Sequence, residues 1–530
     1  MKRVLFCLTV VVMAMLIVGC SGDGGKNKNK ISVNIESEPK TMDPQLLVDH
    51  SAIVMSNSLW EGLTRIGKDG KIAPAAAEKW DVNGNVWTFY IRDNAKWSNG
   101  DKVTANDFYF AIKRAIEPKT ASEYAYMTYY IKNAQKYNES KLNDFSQVGV
   151  KVIDEKRLEI TLETPVPYFA AVLAFPTYFP CNQKFFEGVG QGYSLEADQA
   201  IYNGPWKMVQ WQHDNKMVLT KNENYWNKNE IKLDGIEYLM IENATTAANM
   251  YKNNKIDISV IQTDQIKQFK DSPEYTTYSD GSVWYYEFNI KNKYFKNGKI
   301  RRAMTLALDR ELLVNQVLED GSTAALAMVP PGIPGKNRSF REDYGTKYFE
   351  NNNVAEAKKL LEEGLKEIGE KEIRFTLLCD TRTERKKVAV FIQEQLKKNL
   401  GVTVDLEPVS FQIRLQKMQS HDFDVVASGW SPDYNDPMTF LDMWTTNNGN
   451  NHTLWSNKKY DELINKALVT EDNSARMDVM AEAEKLLMEE MPVGPIYYRN
   501  RNALIRSNVK DVKISSVGPE YDFYWASISK

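Results

Sequence analysis

The sequence predicts a mixed α/β protein of two or three domains, on three observations. The chain has 530 residues, well past the roughly 250–300 at which a single hydrophobic core stops growing. From about residue 354 strand patterns alternate with helix patterns, which implies parallel pairing through right-handed crossovers. Between about 60 and 185 the signals are instead those of hairpins, at Asp69-Gly70, Asn83-Gly84 and Asn99-Gly100. Such pairs supply the positive φ that tight β-turns demand.

The chain opens with Met1-Lys2-Arg3, followed by an apolar run over 4–18 interrupted only by Thr9. That run is too short to span a bilayer, which takes about 20 apolar residues, and reads as a secretory leader. It ends in Ile17-Val18-Gly19-Cys20, which resembles the lipobox of bacterial lipoproteins. Cys20 would then be acylated and become the new N-terminus. Residues 21–30 hold Gly, Ser, Asn, Asp and Lys with no apolar side chain, a composition suited to a flexible tether.

Residues 31–35 alternate as a strand, 37–45 form a loop, and 51–63 are amphipathic. Trp87-Thr88-Phe89-Tyr90-Ile91 alternates between two turn signals. Thr104 followed by Asp107 predicts a capped helix start, with Phe108, Ile112, Ala115 and Ile116 as the apolar face. A hairpin over 150–162 turns at Asp154-Glu155, and another opens at Asn203-Gly204-Pro205-Trp206. Residues 236–241, 244–253 and 256–258 read as a β-α-β run, and 284–289 as an aromatic strand. Ile300, Met304, Leu308 and Leu312 recur every four residues, predicting one helix that buries a stripe. Gly188-Val189-Gly190-Gln191-Gly192 reads as a flexible connection.

The regular region follows. Helices are predicted at 354–368, 388–400 and 411–419, with strands at 373–378, 402–406 and 424–428. The last strand delivers the loop Gly429-Trp430-Ser431-Pro432-Asp433-Tyr434-Asn435-Asp436-Pro437, and 438–444 looks helical. Ligand crevices of open α/β sheets lie at the carboxyl ends of strands, so Asp433 stands where a cationic ligand group could be met. A helix at 474–490 and a strand at 493–498 complete the pattern.

Several function classes lack their residues. The formal net charge of -3 leaves no basic footprint for nucleic acid. The four histidines, His50, His213, His421 and His452, are scattered without metal-ligand spacing. No H-E-x-x-H, C-x-x-C or G-x-S-x-G occurs, so no nucleophile or metal centre, and no cofactor, is expected. Cys181 and Cys379 fall in different predicted domains and are expected as free thiols.

Many segments in one order resemble the extracytoplasmic oligopeptide-binding proteins, bacterial solute-binding protein family 5. These are the receptors of peptide ABC importers. The segments include Leu59-Trp60-Glu61-Gly62-Leu63, Ala76-Ala77-Glu78-Lys79-Trp80, Lys96-Trp97-Ser98-Asn99-Gly100, Val103-Thr104-Ala105-Asn106-Asp107-Phe108, Asn203-Gly204-Pro205-Trp206, Asn224-Tyr225-Trp226, Pro165-Val166-Pro167-Tyr168-Phe169 and Asp433-Tyr434-Asn435-Asp436-Pro437. The resemblance implies a two-lobed, type II-like periplasmic-binding-protein fold with an additional third domain. One lobe would comprise 31–59, 186–280 and 501–530, the extra domain 60–185, and the other lobe 281–500.

It also implies roles. Asp433 would hold the peptide α-amino group. The backbone at Gly429, Trp430 and Ser431, and that near His50, would pair with the peptide main chain, and Tyr124 would stand in the site. The family's carboxylate-reaching arginine is Ala427 here, and a nearby family histidine is Arg385. Two readings of Arg385 stand: it takes the peptide carboxylate, or it belongs to the solvated helix start at 382–387. The implied partners are an oligopeptide, the permease subunits of an ABC transporter and the membrane, through the lipid on Cys20. The protein is expected as a monomer outside the cytoplasm. Receptors of this kind also take dipeptides, metal chelates, haem or oligosaccharides. A lipid-anchored hydrolase is the remaining alternative from another class.

Overall fold

The computed structural model describes residues 29–529. The leader, Cys20 and most of the tether lie outside them.

Two long antiparallel strands, Tyr275–Phe288 and Val493–Ile505, organise the molecule. Their register breaks between Ser279 and Val283, a bulge that bends a strand and sharpens its twist. On one side of the break they pair from Tyr275↔Leu504 to Ser279↔Asn500, and on the other from Val283↔Tyr498 to Glu287↔Val493. Each half gathers its own strands. Ile258–Val260, Lys30–Asn34, Gly235–Leu239, Lys216–Lys221 and Trp206–Gln212 extend the sheet on the first side. Val425–Trp430, Arg374–Asp380 and Thr403–Val409 extend it on the second. The fold is therefore two α/β lobes joined by a pair of shared strands.

A separate antiparallel sheet, Ala77–Asn83, Val86–Ile91, Arg157–Thr161 and Val150–Asp154, is covered by the helix Ala105–Ile116. That helix starts as its sequence demands: the Thr104 amide donates to Asp107 Oδ2 at 2.7 Å, and Phe108, Ala111, Ile112 and Ala115 are buried.

In the regular region the helices Val354–Ile368, Thr383–Leu400 and Phe411–Gln419 alternate with strands that pair in parallel. Two expectations fail. The stripe through Ile300 and Leu312 is not one helix. Gly298–Leu306 stops, and a new turn starts at Arg310 because Asp309 Oδ1 accepts the Leu312 amide at 3.0 Å. The fully buried Arg310 guanidinium ties the break down by donating to the Pro495, Leu308 and Thr305 carbonyls. Residues 188–192 are likewise no loose connection but the end of the helix Gln183–Val189 and a 3₁₀ turn. Cys181 and Cys379 are free and buried. No helix of the described residues is long and apolar enough to cross a membrane.

Candidate ligand site

Val425–Trp430 runs two residues further than its sequence pattern suggests, so Gly429 and Trp430 belong to the strand rather than to the loop. They pair with Trp284 and Val283. Gly429 is needed there: a Cβ at that position would sit 2.6 Å from the Trp284 ring. On its other flank the strand pairs with Arg374–Asp380 only at Val425 and Val426. From Ala427 to Trp430 no described strand occupies that flank. Unpaired strand backbone is a template for an extended chain.

The loop beyond is held from several directions. Ser431 Oγ lies 2.8 Å from Ser282 Oγ in the bulge of the shared strand. Pro432 packs on Gly281, whose φ of +72° and close approach to the Ser516 carbonyl leave no room for a side chain. Thr439 Oγ1 accepts from the Asp433 amide at 3.3 Å and from Trp430 Nε1 at 3.2 Å. Tyr434 stacks on Tyr168 with ring centroids 5.1 Å apart, and Asn435 Nδ2 donates to the Gly70 carbonyl at 3.0 Å. The two aspartates of the loop then differ. Asp436 is buried and accepts two bonds from the Arg476 guanidinium, at 3.0 and 2.5 Å.

Asp433 is half-buried, and among the described residues its carboxylate accepts only from the Tyr126 hydroxyl, at 3.3 Å. No Lys, Arg or His among the described residues forms an ion pair with it. Burial therefore pushes its carboxyl up to about 7, against a smaller opposing effect of the Tyr126 bond. Asp442 is a second such acid. Burial raises it to about 7, and it accepts from the Tyr434 hydroxyl at 3.2 Å. A half-buried carboxylate with no counter-ion is costly in the empty protein and suited to receive a cation.

Arg385 presents the opposite charge. Its guanidinium lies 3.3 Å from the Trp284 ring centroid and donates to the Tyr497 hydroxyl at 2.5 Å. Trp284 and Tyr497 are themselves stacked, with centroids 6.0 Å apart. Arg385 forms no ion pair among the described residues, and its Nε finds no hydrogen-bond partner. Burial lowers its pKa, and the neighbouring Arg499 and Arg382 act in the same direction. Arg499 and Arg501 already have carboxylate partners, Asp280 and Glu520. A cavity of about 130 Å³ is lined by Arg385, Tyr497 and Arg499 on one side of the register break and Arg501, Gln262 and Thr263 on the other.

Sequence reasoning named eight positions, and the structure places seven. Gly429, Trp430, Ser431 and Asp433 lie on one strand-to-loop segment, and Arg385 joins them through Trp284. Tyr124 reaches the cluster from the antiparallel domain, 5.8 Å from Tyr126 by ring centroid. His50 stands on the opposite lobe. Its Nε2 is 2.7 Å from Glu520 Oε2 and 3.0 Å from Arg501. Cys20 lies outside the described residues. Tyr126, Trp284 and Tyr497 were not anticipated as site residues. The signals available were the aromatic runs Tyr124 to Tyr130 and Trp284 to Tyr286. Among the described residues no group of three or more His, Cys, Asp or Glu is placed to hold a metal ion.

Comparison with known proteins converges on one family. The model described as "Bacterial extracellular solute-binding proteins, family 5 Middle" matches residues 71–452. The chain is 35% identical to the dipeptide-binding protein DppE of Bacillus subtilis over 530 residues, 97% of each chain. It is 34% identical to the oligopeptide-binding protein OppA of the same organism, over 98% of this chain and 99% of that one. Among solved structures, Listeria monocytogenes OppA bound to peptide is 34% identical with a TM-score of 0.77. That match covers 95% of this chain and 100% of the other.

Proposed function

The chain belongs to the bacterial extracellular solute-binding proteins of family 5, and from that premise we propose that it captures oligopeptides between its two lobes and delivers them to a peptide ABC importer. The observation that carries the reading is Asp433, a half-buried carboxylate without a cation beside an unpaired strand edge. A peptide satisfies both at once. Its main chain pairs with residues 427–431 whatever its side chains are, and its ammonium supplies the missing charge in a charge-assisted hydrogen bond. Tyr126 and Tyr124 close over the ammonium from the third domain. Arg385 takes the peptide carboxylate, for which a planar guanidinium is better shaped than an ammonium. Backbone near His50 contributes from the facing lobe.

The lobes divide as 31–59 with 186–280 and 501–530 against 281–500, around a domain of 60–185. The register break between Ser279 and Val283 supports the boundary near 280. The lipobox supports an extracytoplasmic protein held to the membrane by a lipid on Cys20, and the family supports a binding protein rather than an enzyme; we infer that it works as a monomer.

Native mass spectrometry of gently purified protein tests the main claim. A distribution of added masses matching peptides is the expected result. A single non-peptide adduct overturns the choice of ligand, and peptide fragments accumulating during incubation overturn the non-enzymatic role. The anchor is tested by detergent phase partition of the full-length protein: Cys20→Ser moves it to the aqueous phase, and unchanged partition removes Cys20 as the attachment point.

A further inference from the structure

One surface of the second lobe lies beside the strand ends that lead to Asp433 and Arg385, and the inference drawn from it rests on the peptide-capture reading. The parallel strands Arg374–Asp380, Thr403–Val409 and Val425–Trp430 all end on one edge of the sheet. The two shared strands cross that same edge on their way to the other lobe, because Val283 pairs with Trp430 and Ser279 lies beyond it. The segments that follow the three strands therefore face the opposite lobe. Counted outward from the shared strands, Val425–Trp430 is first, Arg374–Asp380 second and Thr403–Val409 third, in steps of about 4.8 Å. The first delivers Asp433 and the second Arg385. The third, at the outer edge, delivers Phe411 and Ile413 at the start of the helix Phe411–Gln419.

Both side chains are open to solvent, Phe411 at 45% and Ile413 at 46% exposure. They are not loosely placed. Ser410 caps their helix by accepting the Ile413 amide at 3.4 Å. The Phe411 ring has two guanidinium groups near it, Arg414 at 5.2 Å and Arg382 at 5.6 Å from its centroid. Arg414 is buried and donates to Ser428 Oγ at 3.0 Å, directly before Gly429. Arg382 is anchored on Asp380 at 2.9 Å while half of its side chain stays exposed. The rim is thus tied to the strand that carries the unpaired edge, and it offers apolar area beside positive charge. Those are the needs of an apolar side chain close to a peptide's carboxyl end.

We propose that Phe411, Ile413 and Arg382 form an outer subsite of the cleft, which takes an apolar side chain from a peptide too long to end at Arg385. Short peptides do not reach it, so it grades ligands by length and by the character of their last residues. The occupant is the ligand and not a second copy of the chain, because the Phe411 ring lies against Arg414, which is bonded to Ser428 on the strand with the unpaired edge.

The test compares an unblocked tripeptide with an unblocked heptapeptide of the same first three residues and apolar residues in its last four positions. Titration calorimetry is run on the wild type and on the Phe411→Ser/Ile413→Ser double variant. The expected result is an unchanged tripeptide Kd and a heptapeptide Kd weakened about tenfold, the scale of one apolar side chain returned to water. Equal change for both peptides, or no change, overturns the subsite. Wild type that binds the tripeptide but not the heptapeptide also overturns it. Wild type that binds neither refutes the capture reading itself. A light-scattering dimer lost in the double variant assigns the patch to self-association instead. A second arm leaves the protein untouched: serines in the last four positions of the heptapeptide should cost wild type about tenfold by the same reasoning, and equal affinities overturn the proposal even if the double variant does not fold.

Discussion

Replacing Asp433 tests the site most directly, because the structure gives the carboxylate a hydroxyl partner and no cation. In the complex the peptide ammonium is the group that balances this charge. Asp433→Ala removes the balance and leaves an ammonium half-buried without a partner. Stranding a desolvated charge of this kind costs about 2–5 kcal/mol, which corresponds to a Kd weakened roughly 30- to 5000-fold. Asp433→Asn is the sharper probe. It keeps the shape and the bond with Tyr126 and loses only the charge, so it should fall in the same range. N-terminal acetylation of the peptide removes the other member of the pair. The acetylated peptide should bind wild type as poorly as the free peptide binds the variant, and the two losses should not add. Titration calorimetry over the four combinations measures this. Unchanged affinity in Asp433→Asn, or additive losses, would refute the ammonium role.

Binding should also depend on pH in a fixed direction. Because the unliganded Asp433 carboxyl is raised to about 7, protonation competes with the ligand below that value. Affinity should rise from pH 5 to 7 by up to about tenfold per unit and then level off, with proton release visible as buffer-dependent heat. A flat profile would contradict the assignment. Gly429→Ala places a methyl 2.6 Å from the Trp284 ring, forcing the stack that carries Arg385 to move. A loss of about 1–3 kcal/mol in stability is expected from denaturant titration, together with weakened binding. Arg385→Ala should weaken peptides with a free carboxylate more than their amidated forms. Equal effects on both would limit Arg385 to supporting the Trp284–Tyr497 stack and remove it as the carboxylate's partner.

The periodic parts of the fold were legible because their signals are local. The switch from alternating to helical period over 354–430 needs no distant information, and neither does the Thr104 cap. The position of Asp433 at a strand's carboxyl end was legible for the same reason. What failed depended on tertiary partners. The 300–312 stripe is broken because Arg310 finds three carbonyls, one of them on the distant strand at Pro495. Val425–Trp430 gained two residues because Trp284 pairs with Gly429. Tyr126 meets Asp433 across 307 positions, and the Arg385 stack draws on segments near 284, 385 and 497. No spacing rule links such residues.

The motif itself hides one more distinction, and it gives a stringent prediction. Asp433 and Asp436 stand three residues apart, and the sequence alone gives no physical reason to treat one as structural and the other as functional. The difference lies in Arg476, on the helix Asn473–Glu490, which is bonded to Asp436. Asp436→Asn leaves that guanidinium buried without its charge partner, which should cost the fold about 3–5 kcal/mol. Asp433→Asn removes a charge that the empty fold holds at a loss. Its folded pKa, about 7, lies above the ordinary 3.8, so the empty protein loses stability as pH climbs between those values. Above pH 7 the full penalty, on the order of 2–4 kcal/mol, is present and the substitution should relieve part of it. The same Asp→Asn change should therefore destabilise at 436 and stabilise at 433. Urea unfolding of both variants at pH 8 without ligand decides the matter. Changes of the same sign would mean that Asp433 has a structural partner after all, and its case as the ligand's counter-ion would fall with that.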